Sequence, residues 1–240
     1  MKKTSFYLLL ILFLHSDNLF SQLEKTNQLI LVISKNWSSP ICDLYIFEKE
    51  NNKWNLIFDP YKVKIGSKGF AWGIGFHEKQ NGIQKIEGDK KSPAGIFEFG
   101  TAFGYDPIPP IGTKIPYSFS DKFMRCVDDT SSMFYNQLES EREVEKDWNS
   151  AEKMKFQDSD YKYGIAVKHN KENVAGKGSC IFLHCFGKDE STTVGCTAMT
   201  EEKLKFIITW LNPEKNPRII QLPIAEYDRL KIEWNLPTIN

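Results

Sequence analysis

The sequence predicts a mainly β chain with a few helices, resting on three features of its pattern. Short apolar, β-branched runs recur between turn residues, helical spacing is confined to the C-terminal part, and regular strand–helix–strand alternation is missing. The same features favour mostly antiparallel pairing. Hydrophobic residues make up 41% of the chain and aromatics 13%, enough for a substantial core and too much for a disordered chain.

Taken in order, Lys2 and Lys3 precede an apolar run from Phe6 to Leu14, and His15, Ser16 and Asp17 then break it. This is signal-peptide architecture, with cleavage expected after Ser21 and residues 22–240 forming one domain. The run is roughly half of the ~20 apolar residues that a spanning helix needs, and no later run is long enough. No cysteine stands at the cleavage point for a lipid anchor. The expected product is therefore exported to the cell envelope or periplasm without a stable membrane anchor.

Gln28 to Ser34 reads as a buried strand, and Leu44 to Phe47 and Trp54 to Phe58 flank the polar stretch Glu48 to Lys53 as a hairpin. Glycines from Gly66 to Gly82 and prolines from Asp106 to Pro116 mark a loop-rich middle with short strands. Asp160 to Lys168 and Ser179 to Phe186 read as further strands. Thr200 then caps a helix with Glu201 and Glu202 in its first turn. Leu204, Ile207, Ile208 and Leu211 form its apolar stripe, and Asn212 and Pro213 end it. A strand at Ile219 to Leu222 and a short helix at Glu226 to Trp234 complete the chain.

Lys plus Arg equals Asp plus Glu at 31 each, with no long run of one sign, so the electrostatic footprint of a nucleic-acid binder is absent. Five cysteines in an exported chain leave at least one thiol free. If Cys180 and Cys185 share a strand they lie about 16 Å apart, too far to bridge. Pairing of Cys42 with Cys126 stays open, as does the alternative that Cys42, Cys126, Cys180 and Cys185 are simply small buried apolar residues.

The stretch Ser179 to Met199, SCIFLHCFGKDESTTVGCTAM, carries the chemistry: an apolar strand ending in His184, a polar loop, then Gly195 before Cys196. A cysteine nucleophile needs a base or positive field, and backbone N–H groups aimed at the oxyanion. His184 is the base by position. Gly195 permits a tight turn that makes N–H groups converge, and the helix starting a few residues on is expected to bring its positive end near the sulfur. In an extended strand His184 shares a face with Cys180 and Phe182, while Cys185 points away. His169, His184, Cys185 and Cys196 lack the close paired spacing of a structural zinc site, so no metal is expected.

The stretch resembles the active-site motif of the L,D-transpeptidase catalytic-domain (YkuD-type) family, in which a histidine strand precedes a Ser/Thr-x-Gly-Cys loop. Glu87 to Phe97, EGDKKSPAGIF, resembles that family's Gly-Asp-x-x-Thr/Ser-Pro-x-Gly signature. Cys126 to Asn136, CVDDTSSMFYN, and Gly164 to Asn170, GIAVKHN, resemble the branch with longer inserts. Together these cover most of Lys62 to Leu236. The resemblance implies the family's β-sandwich or barrel-like catalytic fold, with Cys196 as nucleophile, His184 as base, and Thr193, Val194 and Gly195 as oxyanion or loop residues. It also implies that Gly88, Asp89, Ser92, Pro93 and Gly95 form a turn and strand beneath the site.

The implied reaction is acyl transfer on peptidoglycan stem peptides through a Cys196 thioester, without cofactor. Alternatives are an L,D-carboxypeptidase or amidase of the same fold, and a catalytically silent wall-binding module. The chain departs from the family pattern at Cys185, Val194 and Ala198, where many members carry Gly, His and Arg. Without that arginine, Arg125 and Lys188 are candidates by type for gripping a substrate carboxylate. Trp72, Phe76 and His77 are candidate groove residues, and Trp72, Tyr135, Asn136 and His169 are candidate substrate-binding residues, with Asn170 beside them.

Overall fold

The computed structural model describes residues 23–155, 160–187 and 191–239. The expected signal peptide, residues 1–21, and Lys188 lie outside the described residues. Eight strands close into a mixed barrel. In ring order they are β1 (Gln28–Ser34), β14 (Arg218–Pro223), β6 (Ser92–Gly104), β11 (Tyr163–Val167), β12 (Phe182–Cys185), β13 (Thr197–Met199), β4 (Tyr61–Lys64) and β2 (Ile41–Glu50), which returns to β1. This is the mainly β, barrel-like class expected from the sequence. Pairing is mostly antiparallel, but β1 with β14 and β12 with β13 run parallel.

The strand β1 is QLILVIS and buried throughout. A strand covered on both faces needs no polar alternation, so a continuous apolar run suits it. By contrast β2 alternates, with Cys42, Leu44 and Ile46 inward. It turns into β3 (Lys53–Leu56) through Asn51 and Asn52, both at positive φ, as a two-residue hairpin turn requires. Barrel residues such as Leu31, Ile46, Ile96, Leu183 and Ile220 are 0% exposed, and each contributes about 1.5–3 kcal/mol by leaving water.

The sequence reading did not anticipate the length of β6. Its first half pairs with β14 and its second with β11, while β5 (Phe70–Trp72) and β7 (Tyr117–Phe119) pair alongside it. Polar and glycine-rich stretches obscure the strand signal, because β6 is held by partners rather than by its own propensity.

The predicted C-terminal helix is α1 (Glu201–Trp210), capped by Thr200, with Leu204, Ile207 and Ile208 buried. Asn212 and Pro213 end it by starting a 3₁₀ turn, Pro213–Lys215. The last helix, α2 (Ile224–Leu230), starts and stops earlier than expected, and Trp234 lies buried in the turn after it. No helix among the described residues is long and apolar enough to cross a membrane.

A separate three-stranded sheet, β8 (Met124–Val127) between β9 (Leu138–Ser140) and β10 (Ala151–Lys153), stands outside the barrel. Cys126 on β8 is disulfide-bonded to Cys180 just before β12, closing a separation of 54 residues. This corrects the Cys42–Cys126 pairing left open above. The inward face of β2 sends Cys42 into the barrel core as a free thiol, whereas Cys126 sits in an outer cluster with Phe103, Met154, Tyr161, Phe182 and Cys196. Cys180 takes φ +55, so the extended strand starts at Phe182 rather than Ser179. Such a bond persists in oxidising compartments.

Candidate active site

The parallel pairing of β12 with β13 sets Leu183 opposite Thr197 and His184 opposite Ala198. Alternation puts Phe182 and His184 on one face, and Cys196, one residue before β13, lies on that same side. The Phe182 N–H donates to Cys196 Sγ at 3.3 Å, and the thiol donates to the Cys180 carbonyl at 3.4 Å. Cys185 faces the other way, within the main core, its thiol toward the Tyr163 carbonyl.

His184 Nδ1 lies 2.7 Å from the Cys185 carbonyl. A carbonyl only accepts, so Nδ1 carries the proton and Nε2 is left as a base. Burial holds the imidazole below its usual value, opposed by the Cys185 carbonyl and by Asp160, first through its charge and then through its carbonyl. Burial drives the Cys196 thiol well above its usual value, helped by the Glu152 carboxylate and opposed by the Phe182 N–H, Lys85 and the Tyr161 hydroxyl. The resting pair is therefore neutral thiol and neutral imidazole.

Two cavities meet at Glu152, Val194 and Cys196. One, about 190 Å³, holds His184, Tyr161, Asp160 and Thr193, and the other, about 340 Å³, holds Lys85, Lys90, Asp128 and Ser179. A larger cavity of about 560 Å³ lies behind the disulfide, lined by Asn136 and His169 but by neither Cys196 nor His184. Size does not mark the candidate site; the candidate nucleophile and base do.

The loop before Cys196 is clamped from below. Ser92 Oγ donates to the Gly195 carbonyl at 2.6 Å, with the Cys196 carbonyl at 3.1 Å, and accepts from the Gly66 N–H. Thr193 Oγ1 donates to the Cys196 carbonyl and accepts from the Gly195 N–H at 3.1 Å. Gly195 does not adopt a left-handed conformation. Its requirement is space, since a Cβ would come within 3.2 Å of Ile181 and 3.3 Å of the Lys91 carbonyl. The N–H groups do not simply converge as expected, because that of Gly195 is already bonded to Thr193. Val194 is 69% exposed at the rim.

Helix α1 does not put its positive end on the sulfur. Strand β13 carries the chain ~10 Å onward first, and the dipole fades within the first turn, which Thr200, Glu201 and Glu202 already complement.

Trp72 is 1% exposed, edge-on to Trp37 in the core, and lines neither of the cavities beside Cys196. The Tyr135 hydroxyl donates to Glu87 at 2.5 Å, and Glu87 also accepts from Ser179. Asn136 donates to the carbonyls of His169 and Asn170 and to the Asn173 side chain, and accepts from the Cys180 N–H. His169 is buried between the Ile74 N–H and the Lys177 carbonyl. These groups orient the segment entering β12. His77 packs against Trp72, Phe97 and Trp234, and Phe76 against the main core. Arg125 is bound to Glu141 at 2.6 Å and to two carbonyls, so it is not free to grip a substrate carboxylate.

Sequence reasoning missed Lys85, Lys90, Asp128, Glu152 and Tyr161. Lys85 and Lys90 flank the Gly88-Asp89 signature and Asp128 follows Cys126, so proximity to motifs marked those three. Glu152 and Tyr161 stand in stretches without any motif.

No family model matches the chain, nor does a curated protein. The crystal structure of the helical cell shape determining protein Pgp2 from Campylobacter jejuni is similar to it at 17% sequence identity and a TM-score of 0.37, over 86% of this chain and 55% of that one. The chain thus spans about half the length of the structure it matches.

Proposed function

We propose that the protein is an exported cysteine acyltransferase of the L,D-transpeptidase type, acting on peptidoglycan stem peptides. The observation that carries this reading is the placement of Cys196 and His184 on one face of adjacent parallel strands, lining one cavity, with Nε2 left basic. The motif resemblance supplies the substrate class.

With a neutral resting pair, proton transfer accompanies attack: Nε2 takes the thiol proton as the sulfur adds to a peptide carbonyl. The Cys196 amide is the proposed donor to the oxyanion. Collapse expels the amine of the departing residue, which takes the proton back from the imidazolium and leaves a thioester. An acceptor amine then attacks, giving a cross-link and restoring the thiol; water in its place gives a carboxypeptidase.

The test is mass spectrometry of muropeptides incubated with wild type, Cys196→Ala and His184→Gln. Cross-linked dimers made by wild type and lost in Cys196→Ala are expected, with His184→Gln slower by about 10²–10⁴-fold. Trimmed monomers alone would establish a hydrolase. Wild type as inactive as Cys196→Ala, with no carbapenem adduct on Cys196, would establish a binding module.

A further inference from the structure

Glu152 lines both cavities beside Cys196, yet it comes from β10 of the outer sheet and has no part in the mechanism above. Tyr161, 5% exposed, joins the two: its hydroxyl donates to Glu152 Oε1 at 2.5 Å, and it packs in one cluster with Cys196 and lines the same cavity, where the hydroxyl favours the thiolate. A phenol has one proton to donate. When Glu152 is ionised, that proton is committed to the carboxylate, and the charge opposes a thiolate nearby. When Glu152 is protonated, its own O–H donates to the Tyr161 oxygen and frees the phenolic proton for the sulfur.

We infer that Tyr161 is a catalytic hydrogen-bond donor to the Cys196 thiolate and that Glu152 is a positioning residue whose protonation decides whether the donation is made. This deepens the proposed function and rests on Cys196 being its nucleophile.

The groups facing Glu152 set where the switch falls. Asp128 after β8 and Asp160 before β11 bring further negative charge, and each has a buried oxygen without a hydrogen-bond partner. Lys85 and Lys90 line the cavity on the other side, and Lys85 is paired with Asp89 at 2.6 Å. His184 faces the same space, edge-on to Tyr161 at 5.2 Å. Burial together with Asp128 and Asp160, against the Tyr161 hydrogen bond, pushes the Glu152 carboxyl up to about 7. The switch therefore operates near neutrality.

The test follows the rate of Cys196 alkylation by iodoacetamide from pH 5.5 to 9, resolved from Cys42 and Cys185 by peptide mass spectrometry. A sulfur–carbon bond forms, iodide leaves, and the thiol proton goes to His184 or solvent. A hydrogen bond to a charged group shifts such a rate by about tenfold or more. Tyr161→Phe is expected to be about tenfold slower at pH 6 and to approach wild type at pH 8.5. Glu152→Gln, which mimics the protonated acid, is expected to match wild type at pH 6 and to be about tenfold faster at pH 8.5. In wild type itself the log rate must bend near pH 7, a readout that needs no variant to fold. Profiles that differ by a constant factor at every pH, or a wild-type profile without the bend, would overturn the inference. Because alkylation reads the sulfur alone, a wall-binding chain inert to muropeptides would still show the bend if the switch exists, so the two proposals fail separately.

Discussion

The barrel and the outer sheet solve the same packing problem by different means. Around β1, β14 and the first half of β6, apolar side chains fill most of the space, and the buried polar ones, such as Gln28 and Gln221, are hydrogen-bonded. The outer cluster beneath β8–β10 is small, and a disulfide, hydrogen-bonded asparagines and partly buried carboxyls do what bulk burial does in the barrel. Cys196, the proposed nucleophile, belongs to the second region. A reactive thiol needs nearby polar groups and a cavity, which a close-packed apolar core excludes.

Removing the disulfide is the largest expected break in that contrast. Closure of a 54-residue separation restricts the unfolded chain by about 4 kcal/mol in the chain-entropy model. Cys126→Ser with Cys180→Ser is expected to lower the urea midpoint and to raise Cys196 alkylation in native buffer, because the Cys180 carbonyl and the Phe182 N–H that hold the sulfur are freed. Unchanged alkylation would show that the outer sheet does not position Cys196.

A truncation inside the barrel is expected to cost a comparable amount and leave the site alone. Leu31→Ala should lose about 2–5 kcal/mol, seen as a lower urea midpoint, with native-state alkylation of Cys196 unaltered. If alkylation changes as well, the two regions are one cooperative unit at the site.

Smaller and more local is Ser92→Ala, which unclamps the Gly195 and Cys196 carbonyls and the Gly66 N–H. About 1–3 kcal/mol of stability is expected to go, together with most muropeptide turnover, and a variant that keeps full turnover would show that the clamp is structural only.

The smallest net effect is in pH dependence, where two groups on either side of the disulfide act with opposite sign. His169, behind the disulfide, is held down to about 4 by burial. The unfolded chain binds its proton first, so stability is expected to fall as pH drops from about 6.5 to 4. Glu152 is pushed up to about 7, so the folded chain keeps its proton longer, and stability is expected to fall as pH rises from about 4.5 to 7. Because the two windows overlap, the slopes oppose each other in wild type, and urea titrations are expected to uncover one at a time: stability rising with pH in Glu152→Gln and falling with pH in His169→Asn. A variant whose profile matches wild type removes its residue from the account.

The barrel was the more legible region. β1 announces itself as a continuous apolar run, the β2–β3 hairpin by the polar stretch Glu48 to Lys53 between two apolar runs, and α1 by its Thr200 cap, apolar stripe and Pro213 stop, because each is fixed by residues close in sequence. The 13-residue β6 was not read at its full length, since its partners come from both ends of the chain. At the site, His184 and Cys196 were marked by local motif, whereas Tyr161 and Glu152 were not.

By itself the sequence determined the mainly β class, the elements whose signals are local, and the candidate nucleophile and base, because side-chain period, capping and turn chemistry act over a few residues. Only the tertiary structure decided the closure of the ring, the Cys126–Cys180 bond, the burial of Trp72 and the meeting of Glu152 and Tyr161 at the sulfur. Those depend on contacts between residues far apart along the chain, and no short window of sequence contains both partners.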